Sequence, residues 1–357
     1  MENKGLLFIP DISGFTRFVT ETEIGHSRLI IQELLELLIN NNEIGLEVSE
    51  VEGDAILFYK FGDAPSLEAI YRQVEKMFCA FHRNLIIYDN RRYCQCQACV
   101  SASDLTLKVI THFGEFTGYN VKNFSKLIGK DVIVAHQLLK NDIPQHEYWL
   151  VTNSLADDRP PEGFAEWMQW MSSSRQTETG EIPFHYTQLS ALKKQIEIEP
   201  IQLPDISKKE KVISLSADYD TDIITLFHAT GDFNFRHLWL EGVKKVEEVA
   251  HYLPRVGMKC RCILENGESI SYASSYQYSP DKIEFSETEE ETGRLTYFTL
   301  ETIRDKRTRL VLDYYIDGNI FSKEWFKITQ KNKLETKFKK SLVNLETLAK
   351  EIILPDV

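Results

Sequence analysis

Apolar positions in the first part of the chain change period several times, and each change marks an element. Leu6 to Pro10 is a continuous apolar run of the kind that forms a buried strand. The residues after it, Phe18, Ile24, Leu29, Ile30, Leu34, Leu37 and Leu38, recur at helical spacing. A second run, Ala55 to Tyr59, follows Glu50-Val51-Glu52-Gly53-Asp54 and reads as one arm of a hairpin. Leu67, Ile70, Tyr71, Val74, Met77, Phe78, Phe81 and Leu85 predict a helix from Ser66 to Tyr88 with one buried face. A strand from Leu105 to His112 and a helix opening at Gly129 and running to Leu139 come next. The order strand, helix, hairpin, helix, strand, helix, strand predicts an α+β domain with an antiparallel-rich sheet and helices on one face.

From Asn153 to Lys211 the pattern loses its regularity. Asp157-Asp158-Arg159-Pro160-Pro161, Ser172-Ser173-Ser174 and Lys208-Lys209-Glu210-Lys211 predict a connecting region, with Trp167 and Trp170 packed against one of the domains. Beyond it, Ile223 to Phe227 is strand-like, and Asn234 to His251 carries Trp239, Leu240, Val243 and Val246 at helical intervals. Strands are expected over Met258–Leu264, Ser269–Tyr278, Lys282–Glu289, Leu295–Arg304 and Thr308–Ile316, with turns at Asn266-Gly267 and Ser279-Pro280. An amphipathic helix from Phe321 to Ile352 ends the pattern. A meander and a long helix laid across it enclose a cavity. The predicted organisation is therefore 1–152, a segment 153–211, and 212–357.

Two carboxylates stand at the edges of the first apolar runs: Asp11, in Pro10-Asp11-Ile12-Ser13-Gly14-Phe15-Thr16, and Asp54, in Gly53-Asp54-Ala55. An unpaired negative charge there is costly, so something cationic should hold them. A hard divalent ion, Mg²⁺ or Mn²⁺, bound through these carboxylates and the phosphates of a nucleotide fits that need. Ser13, Gly14, Phe15 and Thr16 turn directly into a helix, where free backbone N–H groups attract phosphate oxygens. The plainer alternative is that Asp11 caps the helix and Asp54 makes the hairpin turn.

Composition narrows the classes. A chain of 357 residues exceeds one typical core, which predicts two domains. Its net charge of -13 and pI near 5.3 argue against nucleic-acid or anionic-membrane partners through bulk electrostatics. Lys337-Phe338-Lys339-Lys340 reads as the solvated face of a helix. No apolar stretch is long enough to span a bilayer, and the first residues do not read as a secretion signal, so a cytoplasmic protein is expected.

Six cysteines then point to reduced thiols or metal ligands rather than a disulfide scaffold. Cys94-x-Cys96-x-x-Cys99 can wrap a Zn²⁺ ion, with Cys79 or His82 as fourth ligand. The alternative is small apolar fillers, against which polar Gln95 and Gln97 argue. Cys260 and Cys262 share one side of an expected strand and read as packing residues.

The first four segments together resemble the catalytic domain of class III adenylate and guanylate cyclases, a ferredoxin-like sheet fold. The resemblance maps the family's metal site onto Asp11, Ile12 and Asp54. It maps the strand ending in His-x-Gly onto His112 and Gly114, and the family's Gly-x-x-Val-Asn-x-Ala-x-Arg helix onto Gly129, Val132, Ile133, Ala135 and Gln137. It covers roughly the first 150 residues. The resemblance also implies nucleotide contacts from Ser13 to Thr16 and base-reading positions at Glu50 and Lys126. Glu50 can accept from a guanine edge, which makes a guanine nucleotide the better fit.

The departures set expectations of their own. Ile133 and Gln137 replace the family's ribose-orienting Asn and transition-state Arg, and neither neutralises developing phosphate charge. Losing one such stabiliser costs on the order of 10² to 10³ in rate. Metal and transition-state groups of the family meet across a head-to-tail dimer, but every copy in a homodimer carries the same Ile133 and Gln137. A monomer or homodimer that binds metal and a nucleoside triphosphate without efficient cyclisation is expected.

The second half, with Trp239-x-x-Gly242 and Pro254-Arg255-x-Gly257, resembles the START-like or polyketide-cyclase helix-grip fold. That resemblance implies a small hydrophobic ligand held between the last helix and the sheet, near Phe285, Tyr297, Phe298, Tyr314, Trp325 and Phe338. The reading that follows is a two-domain signalling or sensor protein. Its alternatives are an active divergent cyclase drawing charge from His112, His136 or Lys126, and an interaction module with neither metal nor nucleotide.

Overall fold

The structure, a computed structural model, describes residues 4–22, 24–92, 96–122, 124–156, 159–177, 180–198, 204–249, 255–265, 267–318, 326 and 328–352. The chain divides into two compact units, residues 1–89 with 97–199 and residues 90–96 with 200–357.

The first unit is built on β1 (Lys4–Ser13), β2 (Glu47–Glu52), β3 (Ala55–Phe61), β4 (Thr106–Glu115), β7 (Tyr148–Thr152), β8 (Trp170–Thr177) and β9 (Gly180–Gln188). They form one sheet in the order β2-β3-β1-β4-β7-β9-β8. All neighbours are antiparallel except β4 and β7, which run parallel. Parallel neighbours need a crossover, and α5 (Lys130–Leu138) lies in that connection. The sheet is therefore mixed, within an α+β unit.

Helices α1 (Phe15–Glu21), α2 (Ile24–Asn40) and α3 (Leu67–Arg91) follow the predicted order. The two sides of the sheet are read from the period of 2. Leu7, Ile9, Ile110 and Leu150 pack with Val132, Ala135 and Leu138 of α5. Trp149, on the opposite side of β7, stacks on Tyr71 of α3 at 6.0 Å. Helices thus cover both faces, whereas the pattern predicts one, because α5 has an apolar stripe of its own to bury. The polar loop expected before α5 contains a separate hairpin, β5 (Thr117–Val121) with β6 (Phe124–Ile128).

The expected connecting region is largely part of this sheet. β8 and β9 extend it beyond β7, and Trp170 tilts against Trp149 at 5.2 Å. Serine-rich β8 is an exposed edge strand, so its composition imitates a linker.

The second unit is a seven-stranded antiparallel sheet in the order β10-β16-β15-β14-β13-β12-β11. Its strands are β10 (Lys209–Tyr219), β11 (Val243–Val249), β12 (Lys259–Leu264), β13 (Gly267–Ser279), β14 (Lys282–Glu289), β15 (Leu295–Arg304) and β16 (Arg307–Asp317). Helices α7 (Ile223–Gly231), α8 (Arg236–Trp239) and the long α9 (Lys331–Glu351) complete it, numbered after α4 (Gln97–Ser101) and α6 (Asn153–Ala156) of the first unit. Phe338, Leu342, Leu345 and Leu348 of α9 bury into a core with Trp239, Phe285, Phe298 and Leu312.

Two expectations are corrected here. Ile223 to Phe227 is helical, because Asp222 caps it by accepting from the Thr225 backbone N–H at 2.9 Å, and a short apolar run does not distinguish helix from strand. The stretch Asn234 to His251 contains the four-residue α8 and then β11 rather than one helix, the turn between them carrying Gly242. Residues 250–254 and 319–325, with Trp325, lie outside the described residues, as does Cys94.

Candidate functional site

Asp11 lies near the end of the central strand β1, paired across β3 with Ala55 and across β4 with Lys108. The hairpin turn between β2 and β3 has Gly53 at φ 61, a left-handed conformation, and leads straight to Asp54. Ile12 donates its backbone N–H to the Asp54 carbonyl at 2.9 Å, fixing this turn against β1. Sheet alternation then places Asp11, Lys108 and His112 on the side that α5 covers.

Lys108 is the residue that sequence reasoning missed. Its Nζ stands 3.4 Å from Asp11 Oδ1 and donates to the Leu139 carbonyl at 3.2 Å. Both side chains are nearly buried, 13% and 12% exposed. A lysine alternating with Leu107 and Val109 in a buried strand was the available signal.

The charges do not balance: two carboxylates share one ammonium. Burial pushes the Asp11 carboxyl up to about 6, Lys108 pulls it down, and the Asp54 charge raises it again. Asp54 is also raised, chiefly by burial. The hard oxygen donors suit Mg²⁺ or Mn²⁺, with Asp11 and Asp54 as the residues that would hold it.

Of the other expected positions, Ser13 is buried, and its Oγ is without a hydrogen-bond partner. Gly14 caps α1 at φ 91 with no side-chain cap bond, half-buried Phe15 begins the helix, and Thr16 is exposed. Glu50 and Lys126 form an ion pair with each other, joining β2 to β6. His136 Nδ1 lies 3.6 Å from Glu52 Oε2. Ile133 is 55% exposed, and Gln137 keeps its Oε1 buried and unpartnered.

His112 belongs to a separate network. Its Nδ1 is 2.8 Å from Thr152 Oγ1 and its Nε2 is 3.0 Å from Asp131 Oδ1, while Glu115 donates its N–H to Asp131 Oδ2 at 2.6 Å. Burial lowers the His112 pKa and the Asp131 carboxylate opposes it. Gly114 explains the glycine two residues on: a Cβ there would lie 2.2 Å from Asp131 Cγ. Gly114→Ala is expected to push Asp131 off His112 and cost about 1–3 kcal/mol, read by urea unfolding.

The two expected fourth zinc ligands, Cys79 and His82, are placed elsewhere. His82 is packed against Phe78 at 4.3 Å, lies 3.3 Å from Thr106 Oγ1, and is lowered to about 3, mainly by burial. Cys79 is half-buried on α3 and raised by burial. Neither belongs to a group of three candidate ligands among the described residues. Cys99 instead has its sulfur 3.4 Å from His26 Nδ1, and Cys96 falls in the segment 90–96 of the second unit.

In the second unit a groove of about 830 Å³ runs beside α9 and is bordered by Leu264, Arg294, Tyr314, Leu334 and Lys337. Phe285 and Phe298 stack on each other at 4.6 Å and are fully buried, as core. Phe338 packs on Tyr314 at 5.5 Å, and Tyr297 is half-buried. Among the described residues no helix is long and apolar enough to cross a membrane.

A family model described as "Protein of unknown function (DUF2652)" matches residues 31–148. The Mycobacterium tuberculosis (strain ATCC 25618 / H37Rv) protein "Uncharacterized protein Rv2561/Rv2562" is 33% identical over 126 residues, 35% of this chain and 58% of that protein. The chain thus spans less than two thirds of that relative. Among solved structures, the catalytic core of a rhodopsin-guanylyl cyclase with converted specificity, in complex with ATPalphaS, is similar at 11% identity and TM-score 0.37, over 52% of this chain and 96% of that one. A bacterial light-regulated adenylyl cyclase is similar at 15% identity and TM-score 0.37, over 54% and 95%. The guanylate cyclase domain of RhGC from Catenaria anguillulae, in complex with GTP, is similar at 12% identity and TM-score 0.36, over 52% and 97%.

Proposed function

We propose that the first unit is a cyclase-like domain that takes a divalent ion, with the phosphates of a purine nucleoside triphosphate, between Asp11 and Asp54, and does not cyclise the nucleotide efficiently. The observation that supports this reading is the charge imbalance: a buried and a half-buried carboxylate with one shared ammonium leave a net negative site. Lys108 competes with the ion, so affinity should be low until the ammonium swings aside.

When bound, the ion would supply charge for positioning phosphate oxygens. The chain's own residues do the rest: Asp11 and Asp54 hold the ion, the turn from Ser13 to Thr16 offers backbone N–H groups, and the Glu50–Lys126 pair stands where a base edge would be read. Because Glu50 and Lys126 satisfy each other, weak discrimination between GTP and ATP is expected. Ile133 and Gln137 offer no cation for developing phosphate charge. The second unit is proposed to hold a small ligand in the groove beside α9. Arg294 and Lys337 among its lining residues favour an amphipathic molecule over a purely apolar one.

The test is calorimetric titration of the full chain with Mn²⁺, with and without GTP or ATP. Wild type should bind weakly, Asp54→Asn should not bind, and Lys108→Met should bind on the order of tenfold more tightly, since removing a like charge is worth about a pKa unit or more. Equal heats for wild type and Asp54→Asn would remove the metal site. Cyclic product formed at an ordinary enzymatic rate would replace this reading with the active cyclase.

A further inference from the structure

Cys260 and Cys262 sit two residues apart on β12, on the same buried face, 1% and 5% exposed. Their sulfurs are 3.6 Å apart. Packing alone would leave two neutral thiols among apolar neighbours, but the surroundings are charged. Arg236 of α8 and Lys337 of α9 act on Cys262 from two elements, and Glu287 of β14 opposes them. Glu287 is committed to Arg236 through a bidentate ion pair, and Lys337 is further balanced by Glu241 and Glu289. The contact between the two sulfurs, with Arg236 and Lys337, lowers the Cys262 thiol, while that contact and burial raise the Cys260 thiol. At 3.6 Å either sulfur can donate to the other, so a thiolate formed on one is held by the thiol of the other.

We propose that Cys260 and Cys262 are a redox dithiol that hydrogen peroxide closes to an intrastrand disulfide. The Cys262 thiolate attacks one peroxide oxygen, breaking the O–O bond and becoming a sulfenic acid, with hydroxide leaving and taking a proton to form water. The Cys260 sulfur then attacks the Cys262 sulfur, forming the S–S bond as the sulfenic hydroxyl leaves, with the Cys260 proton, as a second water. Two electrons pass from the cysteines to the peroxide. Access runs along the groove beside α9, whose lining includes Leu264, two positions beyond Cys262, together with Gly242 and Lys337.

Residues two apart on an extended strand have Cα atoms about 6.4–6.8 Å apart, at the upper end of what a disulfide bridges. Such a bond is strained and readily reduced, which suits a reversible modification rather than a staple.

The experiment treats the reduced full-length protein with hydrogen peroxide and maps its peptides without reduction. The peptide spanning Lys259 to Leu264 should lose two hydrogens and regain them with dithiothreitol. Cys260→Ser should stop at a sulfenic acid on Cys262 that a cyclic 1,3-dione captures. Lys337→Met should slow the loss about tenfold and move the pH midpoint of Cys262 alkylation upward by about one unit. The proposal is overturned if folded wild type keeps both thiols at peroxide levels that oxidise free glutathione. It is equally overturned if Cys260→Ser and Cys262→Ser react at the same rate.

Discussion

Replacing Asp11 with asparagine is expected to make the protein more stable at neutral pH while ending its affinity for divalent ions. The Asp11 carboxyl is raised to about 6 in the folded chain, by burial against the pull of Lys108 and with the push of Asp54. A raised acid binds its proton more tightly when folded than when unfolded, so lowering the pH from above 6 towards 4 adds stability. Above pH 6 the fold carries the full cost of ionising the group, and an amide avoids that cost. The shift corresponds to about 2–3 kcal/mol. Urea unfolding of both proteins should show Asp11→Asn ahead by about that much at pH 7.5, with the gap closing near pH 4. A gap independent of pH would mean that the carboxyl is not perturbed, and the charge argument for the site would fail with it. A group retained at a cost to stability is characteristic of function rather than of packing.

Arg236→Met is expected to cost about 3–5 kcal/mol, because it strands Glu287 in the core of the second unit. Arg236 and Glu287 are 5% and 6% exposed, joined by two hydrogen bonds, with the guanidinium 4.9 Å from the Phe233 ring and 5.4 Å from that of Trp239. Burial works against the charge on Arg236, and Glu287 more than compensates, holding the group firmly protonated. Arg236→Met with Glu287→Met should recover most of the loss, since neither charge is then left without its partner. A double-mutant cycle by urea unfolding measures this coupling. Additive losses would show that the two side chains contribute through their apolar contacts alone.

Much of the architecture was readable from residue pattern. β14 and β15 have the bounds that alternation predicts, and β12, β13 and β16 differ from it only at their ends. The helix over Ser66–Tyr88 is observed as Leu67–Arg91. Period fails where it is short or masked. Ile223 to Phe227 is too brief to separate helix from strand, and β8 hides in serines because its faces are mostly exposed. Of the candidate site, Asp11 and Asp54 were legible because charge interrupts apolar runs. Lys108 was not: it is distant in sequence, and only the register of β4 against β1 brings it opposite Asp11. His82 read as a ligand by its spacing from Cys79, yet it faces Phe78 and Thr106, because helix phase and not residue type directs a side chain.

The sequence by itself determined most of the strands and helices, the glycine turns that end them, and the presence of carboxylates where an apolar interior would reject them. Those are local consequences of backbone sterics and side-chain polarity. The tertiary structure alone decided which charges meet: Lys108 with Asp11, Lys126 with Glu50, Arg236 with Glu287, and the cations of two helices with Cys262. Strand register and helix packing set those encounters, and Coulomb energies depend on the resulting few ångströms and on the water excluded from them.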